Sequence, residues 1–292
     1  VSTVPSKRLD KFAMPNGIEI SDAVLQTSQG TPFSPPCGGF GQQCGSGTSC
    51  LSCTDSVNNV CDANFCKNTP PTRYYAFVPD NTGSTRRVKI IDVSANPAQL
   101  VNTITICSSS CGAIYLTAIT IYNGWVYITD GGGSTTHYLW KFQVPNPIIT
   151  GVTLTAANNA YLVGDGGKLG DVYVDSNYVY VMTGWDGGSG GSSNVFRYPN
   201  ANFTSHPPTA LTYDKSTTAD TLDNAANSMD VVGEMVYVVT ANSSKFHIID
   251  FSTASPTVKN GGGTSLGGGG RKISVKGSLA YILTDGQFRK YD

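Results

Sequence analysis

Two Gly-x-Ser-x-Gly matches, Gly187-Gly-Ser189-Gly-Gly191 and Gly263-Thr-Ser265-Leu-Gly267, are the first residues in this chain to suggest chemistry, because that pattern can present a serine nucleophile. A nucleophile elbow needs a strand, a strained turn and then a helix. Both matches lie in glycine-rich loops with no helical pattern after them. With 33 glycines in 292 residues, such matches arise from composition. Histidine, the usual proton shuttle, occurs three times. His247 alternates with Phe246 and Ile248 as a sheet residue does, His206 precedes Pro207-Pro208, and His137 adjoins Tyr138 and Trp140. Their spacing pairs none of them with a serine or a carboxylate. The expectation is a chain with no catalytic residues, no cofactor and no enzymatic activity.

Oxygen ligands are better represented. Asp130-Gly-Gly-Gly, Asp165-Gly-Gly-Lys-Leu-Gly-Asp171 with Asp175, and Asp186-Gly-Gly-Ser-Gly-Gly could offer carboxylates and turn carbonyls to calcium. None has the twelve-residue EF-hand spacing, and Asp-Gly is equally the residue pair of a tight hairpin, so no metal site is expected. Trp125, Trp140 and Trp185 could stack on sugar rings. Only Trp185, in Gly184-Trp-Asp-Gly-Gly, has loop-like neighbours, which makes it the candidate for an exposed ligand contact.

Cysteine usage points to a compartment. Cys37, Cys44, Cys50, Cys53, Cys61 and Cys66 crowd into a Gly-, Ser- and Asn-rich stretch, and Cys107-Ser-Ser-Ser-Cys111 follows. An even number of cysteines in a segment poor in aliphatic residues reads as a disulfide knot, with Cys107 and Cys111 closing a tight loop. Zinc is the weaker alternative, since Cys50-x-x-Cys53 has no second close pair and no histidine lies nearby. Asn202-Phe-Thr and Asn242-Ser-Ser match the N-glycosylation acceptor pattern in polar context. Together these features point to an extracellular or cell-surface glycoprotein. No signal peptide opens at Val1, so a mature chain is expected.

Composition narrows the partners. Only 13% of residues are charged, with 19 basic against 20 acidic, so no field attracts phosphate backbones and no nucleic-acid binding is expected. No apolar run approaches the roughly 18 residues of a membrane helix, and no membrane insertion is expected. A weakly charged surface resists association with copies of itself less than a highly charged one.

The elements that must carry these residues repeat. Asn123-Gly-Trp-Val-Tyr127-Ile-Thr-Asp130, Ser176-Asn-Tyr-Val-Tyr180-Val-Met-Thr183, Gly233-Glu-Met-Val-Tyr237-Val-Val-Thr240 and Gly277-Ser-Leu-Ala-Tyr281-Ile-Leu-Thr284 share one pattern, and Arg73–Asp80 fits it with a shifted aromatic. Each is preceded by a short apolar segment. Each is followed by a further strand: Val88–Val93, Tyr138–Gln143, Asn194–Tyr198, Lys245–Asp250 and Gln287–Tyr291. Short runs rich in β-branched and aromatic residues, bounded by Gly, Asn and Asp, predict an all-β chain. The period suits a β-propeller of about five four-stranded blades. The recurring tyrosines occupy equivalent places, which predicts packing between blades.

Val88-Lys-Ile-Ile-Asp-Val-Ser-Ala-Asn-Pro97 and, more loosely, Phe246-His-Ile-Ile-Asp-Phe-Ser252 with Pro256 resemble the LVIVD-type propeller repeat of bacterial and archaeal surface proteins. The likeness spans roughly residues 73–292. Trp140-Lys-Phe-Gln143 and Val195-Phe-Arg-Tyr198 depart from it by lacking Ile-Ile-Asp. The Cys-rich segment is similar to EGF-like or knottin-like insertions. The resemblance implies architecture and a cell-surface setting, and it carries no catalytic residue over.

Strand counting divides the chain into an N-terminal strand segment (1–30), a Cys-rich knot (31–72) and the propeller repeats (73–292). The last blade lacks a fourth strand and the first lacks its innermost one. Gly17–Leu25 is expected to supply the innermost strand. Val1–Phe12 is expected to run beside Phe288–Tyr291, in this chain or in another copy. The function expected is a secreted, structural or adhesive surface protein that assembles with copies of itself into an extracellular filament by strand exchange. A glycan-binding or glycan-active propeller, and a closed adhesion domain of a larger surface protein, are the alternatives.

Overall fold

The computed structural model describes residues 7–9, 23–28, 59–62, 65–68, 73–107, 114–132, 137–143, 160–163, 168–184, 193–204, 211–217, 222 and 225–292. Its strands are β1 (Lys7–Leu9), β2 (Ala23–Ser28), β3 (Asn59–Asp62), β4 (Phe65–Asn68), β5 (Arg73–Asp80), β6 (Arg86–Asp92) and β7 (Gln99–Cys107), then β8 (Leu116–Tyr122), β9 (Trp125–Asp130), β10 (Tyr138–Gln143) and β11 (Ala160–Leu162). β12 (Leu169–Val174), β13 (Tyr178–Thr183), β14 (Val195–Pro199) and β15 (Lys215–Ser216) follow. They are succeeded by β16 (Ala226–Val232), β17 (Met235–Thr240), β18 (Lys245–Asp250), β19 (Thr257–Val258), β20 (Thr264–Ser265), β21 (Gly270–Lys276), β22 (Leu279–Thr284) and β23 (Gln287–Tyr291).

Antiparallel pairing sorts the strands into successive sheets: β1-β2-β5-β6-β7, β8 to β11, β12 to β15, β16 to β19 with β20 also on β18, and β21 to β23. The first strands of neighbouring blades, β8, β12, β16 and β21, lie beside one another, with β2 beside β8. This is the blade arrangement of a β-propeller, as the repeats predict. The first-to-second-strand hairpin shows how sequence sets register. Asn123 and Gly124 both take positive φ, 47° and 76°, which is the two-residue turn whose twist matches antiparallel strands.

Apolar residues fill the spaces between sheets. Phe77, Val88, Ile90 and Ile104 of the first blade pack against Ile119, Ile128, Trp140 and Phe142 of the second. Comparable clusters join the second blade to the third, the third to the fourth and the fourth to the fifth. Burial of this area is the main stabilising force between blades. Trp140 belongs to this core and is buried, so it is no sugar-stacking surface.

The N-terminal pairing differs from expectation. The innermost strand of the first blade is Ala23–Ser28, later than Gly17–Leu25, with Val24 opposite Phe77. Lys7–Leu9 pairs with β2, Lys7 opposite Leu25, and not with β23. Pairing strands close in sequence, as β1 and β2 are, costs less closure entropy than reaching the far end of the chain. β23 pairs β22 and, among the described residues, carries no outer strand.

Candidate interaction surface

Each second strand carries an aromatic residue directly opposite a residue of the third strand. The pairs are Phe77 with Ile90, Tyr127 with Lys141, Tyr180 with Arg197, Tyr237 with Ile248 and Tyr281 with Lys290. Residues facing one another across an antiparallel pair share a face, so in the first four blades each pair points at the next blade as one unit. The recurring tyrosines were legible in the sequence. Their partners were not, because matching them requires the register between strands.

Where the partner is a cation, it reaches across the gap. Lys141 lies with its Nζ 4.5 Å from the Trp125 ring centroid and 5.3 Å from that of Tyr127, and donates to the Phe203 carbonyl at 2.8 Å. Tyr161 Oη donates to the same carbonyl at 3.0 Å, and the Phe203 ring meets Tyr127 edge-on. Burial pushes the Lys141 ammonium pKa down. Arg197 repeats the arrangement one blade on. It sits over the Tyr178 ring at 4.0 Å, donates to Asp214 from Nε at 3.1 Å, pairs with Glu234 of the following blade, and donates to the Phe251 carbonyl at 3.3 Å. Burial opposes its charge, and the bonds to Asp214 and Glu234 outweigh it, so the guanidinium pKa is raised. Lys215 Nζ also donates to Phe251 O at 2.7 Å.

Nearer the axis, acidic side chains replace these cations. Asp171 Oδ2 accepts from Ser228 Oγ at 3.1 Å and from the Met229 amide at 2.9 Å, and Asp230 Oδ2 accepts from the Val275 amide at 2.7 Å. One blade thus binds backbone donors of the next. Asp171, a calcium candidate in the sequence, is committed to this contact. Asp175 Oδ1 accepts the Asn177 and Tyr178 amides and shapes a hairpin.

Asp130 is fully buried, its Oδ1 taking the Tyr115 and Gly132 amides at 2.9 and 3.0 Å, and burial raises its pKa. Among the described residues no group of three or more His, Cys, Asp or Glu stands together. Asp165, Asp186, Trp185, His206 and Ser189 lie outside the described residues.

The second Gly-x-Ser-x-Gly match forms the exposed strand β20, pairing with β18, with Ser265 opposite Lys245 and no helix after it. Its Gly263 has a φ of +98°, and a β-carbon there would come within 2.8 Å of the His247 ring. This glycine serves packing over a buried histidine. His137 is buried as well. Asn202 is exposed in the 3-10 turn Asn200–Thr204, and Asn242 is exposed in the β17–β18 turn. Cys61 lies directly opposite Cys66 across β3 and β4, and Cys107 is disulfide-bonded. Cys37, Cys44, Cys50, Cys53 and Cys111 lie outside the described residues.

The Ile-Ile-Asp motifs have a local role. Asp92 Oδ1 accepts the Ser94 amide, while Asp250 Oδ1 accepts the Ser252 amide at 2.8 Å and its hydroxyl at 2.6 Å. These aspartates hold the turn leaving the third strand. The Ser252 hydroxyl and Lys259, whose Nζ lies 2.9 Å away, bring the Asp250 pKa down to about 2.

No family model and no curated protein matches the chain. Solved structures similar to it include BamB from Moraxella catarrhalis, at 12% identity and a TM-score of 0.42, over 72% of this chain and 51% of that one. The β-propeller domain of Myceliophteria thermophila Cps50 (Swd1) is similar at 12% identity and a TM-score of 0.42, over 73% and 63%. The phage phi92 endosialidase is similar at 15% identity and a TM-score of 0.30, over 73% and 28%. The chain thus spans about half to two thirds of the first two.

Proposed function

We propose that this propeller is a non-enzymatic structural or adhesive component of an extracellular surface, and that it assembles with copies of itself into a filament. The observation that carries this reading is the last sheet. Four blades have a fourth strand, whereas β23 leaves its outer edge without one among the described residues. An unpaired edge is a template for strand addition. In the proposed assembly, residues 1–12 of one copy leave their three-residue pairing with β2 and complete the last blade of another. The crowded cysteines, the exposed Asn202 and Asn242, and the resemblance of Val88–Pro97 to LVIVD-type repeats support an extracellular setting. A head-to-tail contact of this kind propagates unless it closes into a ring. Electron microscopy of the intact chain and of a chain lacking residues 1–12 tests it. Filaments should form from the first and not from the second. Equal filament formation by both would remove strand exchange.

A further inference from the structure

We propose that Phe33 of this chain docks on the last blade, its ring against Tyr281 and its main-chain carbonyl on Lys290. The internal junctions supply the argument, because two of them bind a phenylalanine in that way. Between the second and third blades, Tyr127 meets the Phe203 ring edge-on while its partner Lys141 donates to the Phe203 carbonyl at 2.8 Å. Between the third and fourth, Tyr180 meets the Phe251 ring edge-on, 5.7 Å away, while its partner Arg197 donates to the Phe251 carbonyl. Each phenylalanine lies just past the third strand of the following blade and is buried. Where the partner is Ile90 or Ile248, in the first and fourth blades, no such carbonyl bond can form. A tyrosine opposite a cation thus marks a junction that takes a phenylalanine.

The last blade carries the same pair uncovered. Tyr281 lies opposite Lys290, and among the described residues no partner engages the exposed Lys290 ammonium. Ala280 and Ile282 face the fourth blade, so Tyr281 faces the other way. On that face Phe288 is 70% exposed, although its counterparts Leu139, Val195 and Phe246 are each buried by the blade that follows.

Three phenylalanines of the chain precede a hydroxyl residue: Phe33-Ser34, Phe203-Thr204 and Phe251-Ser252. The second and third fill the two internal receptors, and the first lies outside the described residues. Position in the fold also selects it. The amides of Val93 and Phe251 make equivalent bonds, to the Tyr74 and Glu234 carbonyls, so Val93 stands in the first blade where Phe251 stands in the fourth. Val93 has no ring to offer. Ser28, the last residue of β2, lies opposite Arg73, next to Tyr74, so the chain leading to Phe33 leaves the first blade at the end where Val93 lies. The residues from Ser28 to Phe33 reach up to about 17 Å when extended. In a propeller the blade that follows the last is the first, which brings this segment to the face that carries Tyr281 and Lys290.

Placing p-benzoylphenylalanine at position 33 of the intact chain, irradiating it and mapping the crosslinks by mass spectrometry tests the contact. A crosslink within one chain to β22 or β23 supports it. A crosslink elsewhere, one confined to a second chain, or none at all overturns it. A second measurement keeps the native ring. Acetylation of each lysine is followed in the intact chain and in Phe33→Ala, with thermal unfolding used to check that the variant folds. Loss of the Phe33 ring should raise the Lys290 rate severalfold and leave Lys276, exposed on the same face, unchanged. Equal Lys290 rates, or a like rise at both lysines, overturn the contact. Phe12→Ala and Phe40→Ala should leave the Lys290 rate as it is; a rise in either one in place of Phe33→Ala overturns the assignment of Phe33.

Discussion

Arg197 is the side chain whose removal should be felt most. It is buried, bridges the third and fourth blades, and has two carboxylates and a carbonyl arranged around it. Asp214 and Glu234 stay partly open to water, so what Arg197→Met removes is the bond to the Phe251 carbonyl and the bridge between blades, and it should lower stability by about 1–3 kcal/mol in denaturant unfolding. Asp250 makes a pH prediction. Its folded pKa, about 2, lies below its ordinary 3.8, so the unfolded chain binds more protons between those values. Stability from this group is present above pH 4 or so and is lost as pH falls toward 2. Thermal unfolding followed across that range should show a steeper acid loss in the native chain than in Asp250→Asn; parallel curves would exclude the role. Neither residue's role was visible as spacing. Arg197 read only as a departure from Ile-Ile-Asp, and the aspartate of that motif signals a repeat without saying which turn it holds.

At the scale of the blade, threonines at the ends of second strands hold the hairpins. Thr183 Oγ1 accepts the Asn194 amide and Thr240 Oγ1 accepts the Lys245 amide at 3.1 Å, while Thr284 Oγ1 donates to the Gln287 carbonyl. Thr129 departs from this. It accepts the Ala118 amide and turns toward the third blade. Thr240 is buried, and valine has its shape without its hydroxyl, so Thr240→Val should cost about 1–2 kcal/mol by leaving the Lys245 amide without its acceptor. Chemical denaturation measures this; a cost near zero would show that the hydroxyl is dispensable. The strands themselves were legible because tyrosine, β-branched residues and turn glycines recur together. Lys7–Leu9 was not, because a three-residue strand carries too little pattern to reveal its partner. Trp140 misled for a related reason. One tryptophan in a strand looks the same whether its face meets solvent or another sheet.

Among the described residues, successive sheets pack face to face with an aromatic residue of the second strand at each junction, and Lys141 or Arg197 adds a bond to the following blade's carbonyl. The last sheet of the series leaves Leu283 and Phe288 exposed. Low charge and abundant glycine, evident from composition, fit a molecule of tight hairpins with little repulsion between copies. What composition could not reveal is where copies would meet, since that depends on which residues the register leaves uncovered. Self-association by strand addition at the edge of β23 is the central claim. Sedimentation velocity of the intact chain over a wide concentration range tests it most directly. The account predicts a rising series of species that removal of residues 1–12 shifts back toward monomer; a single monomeric boundary at every concentration would contradict it.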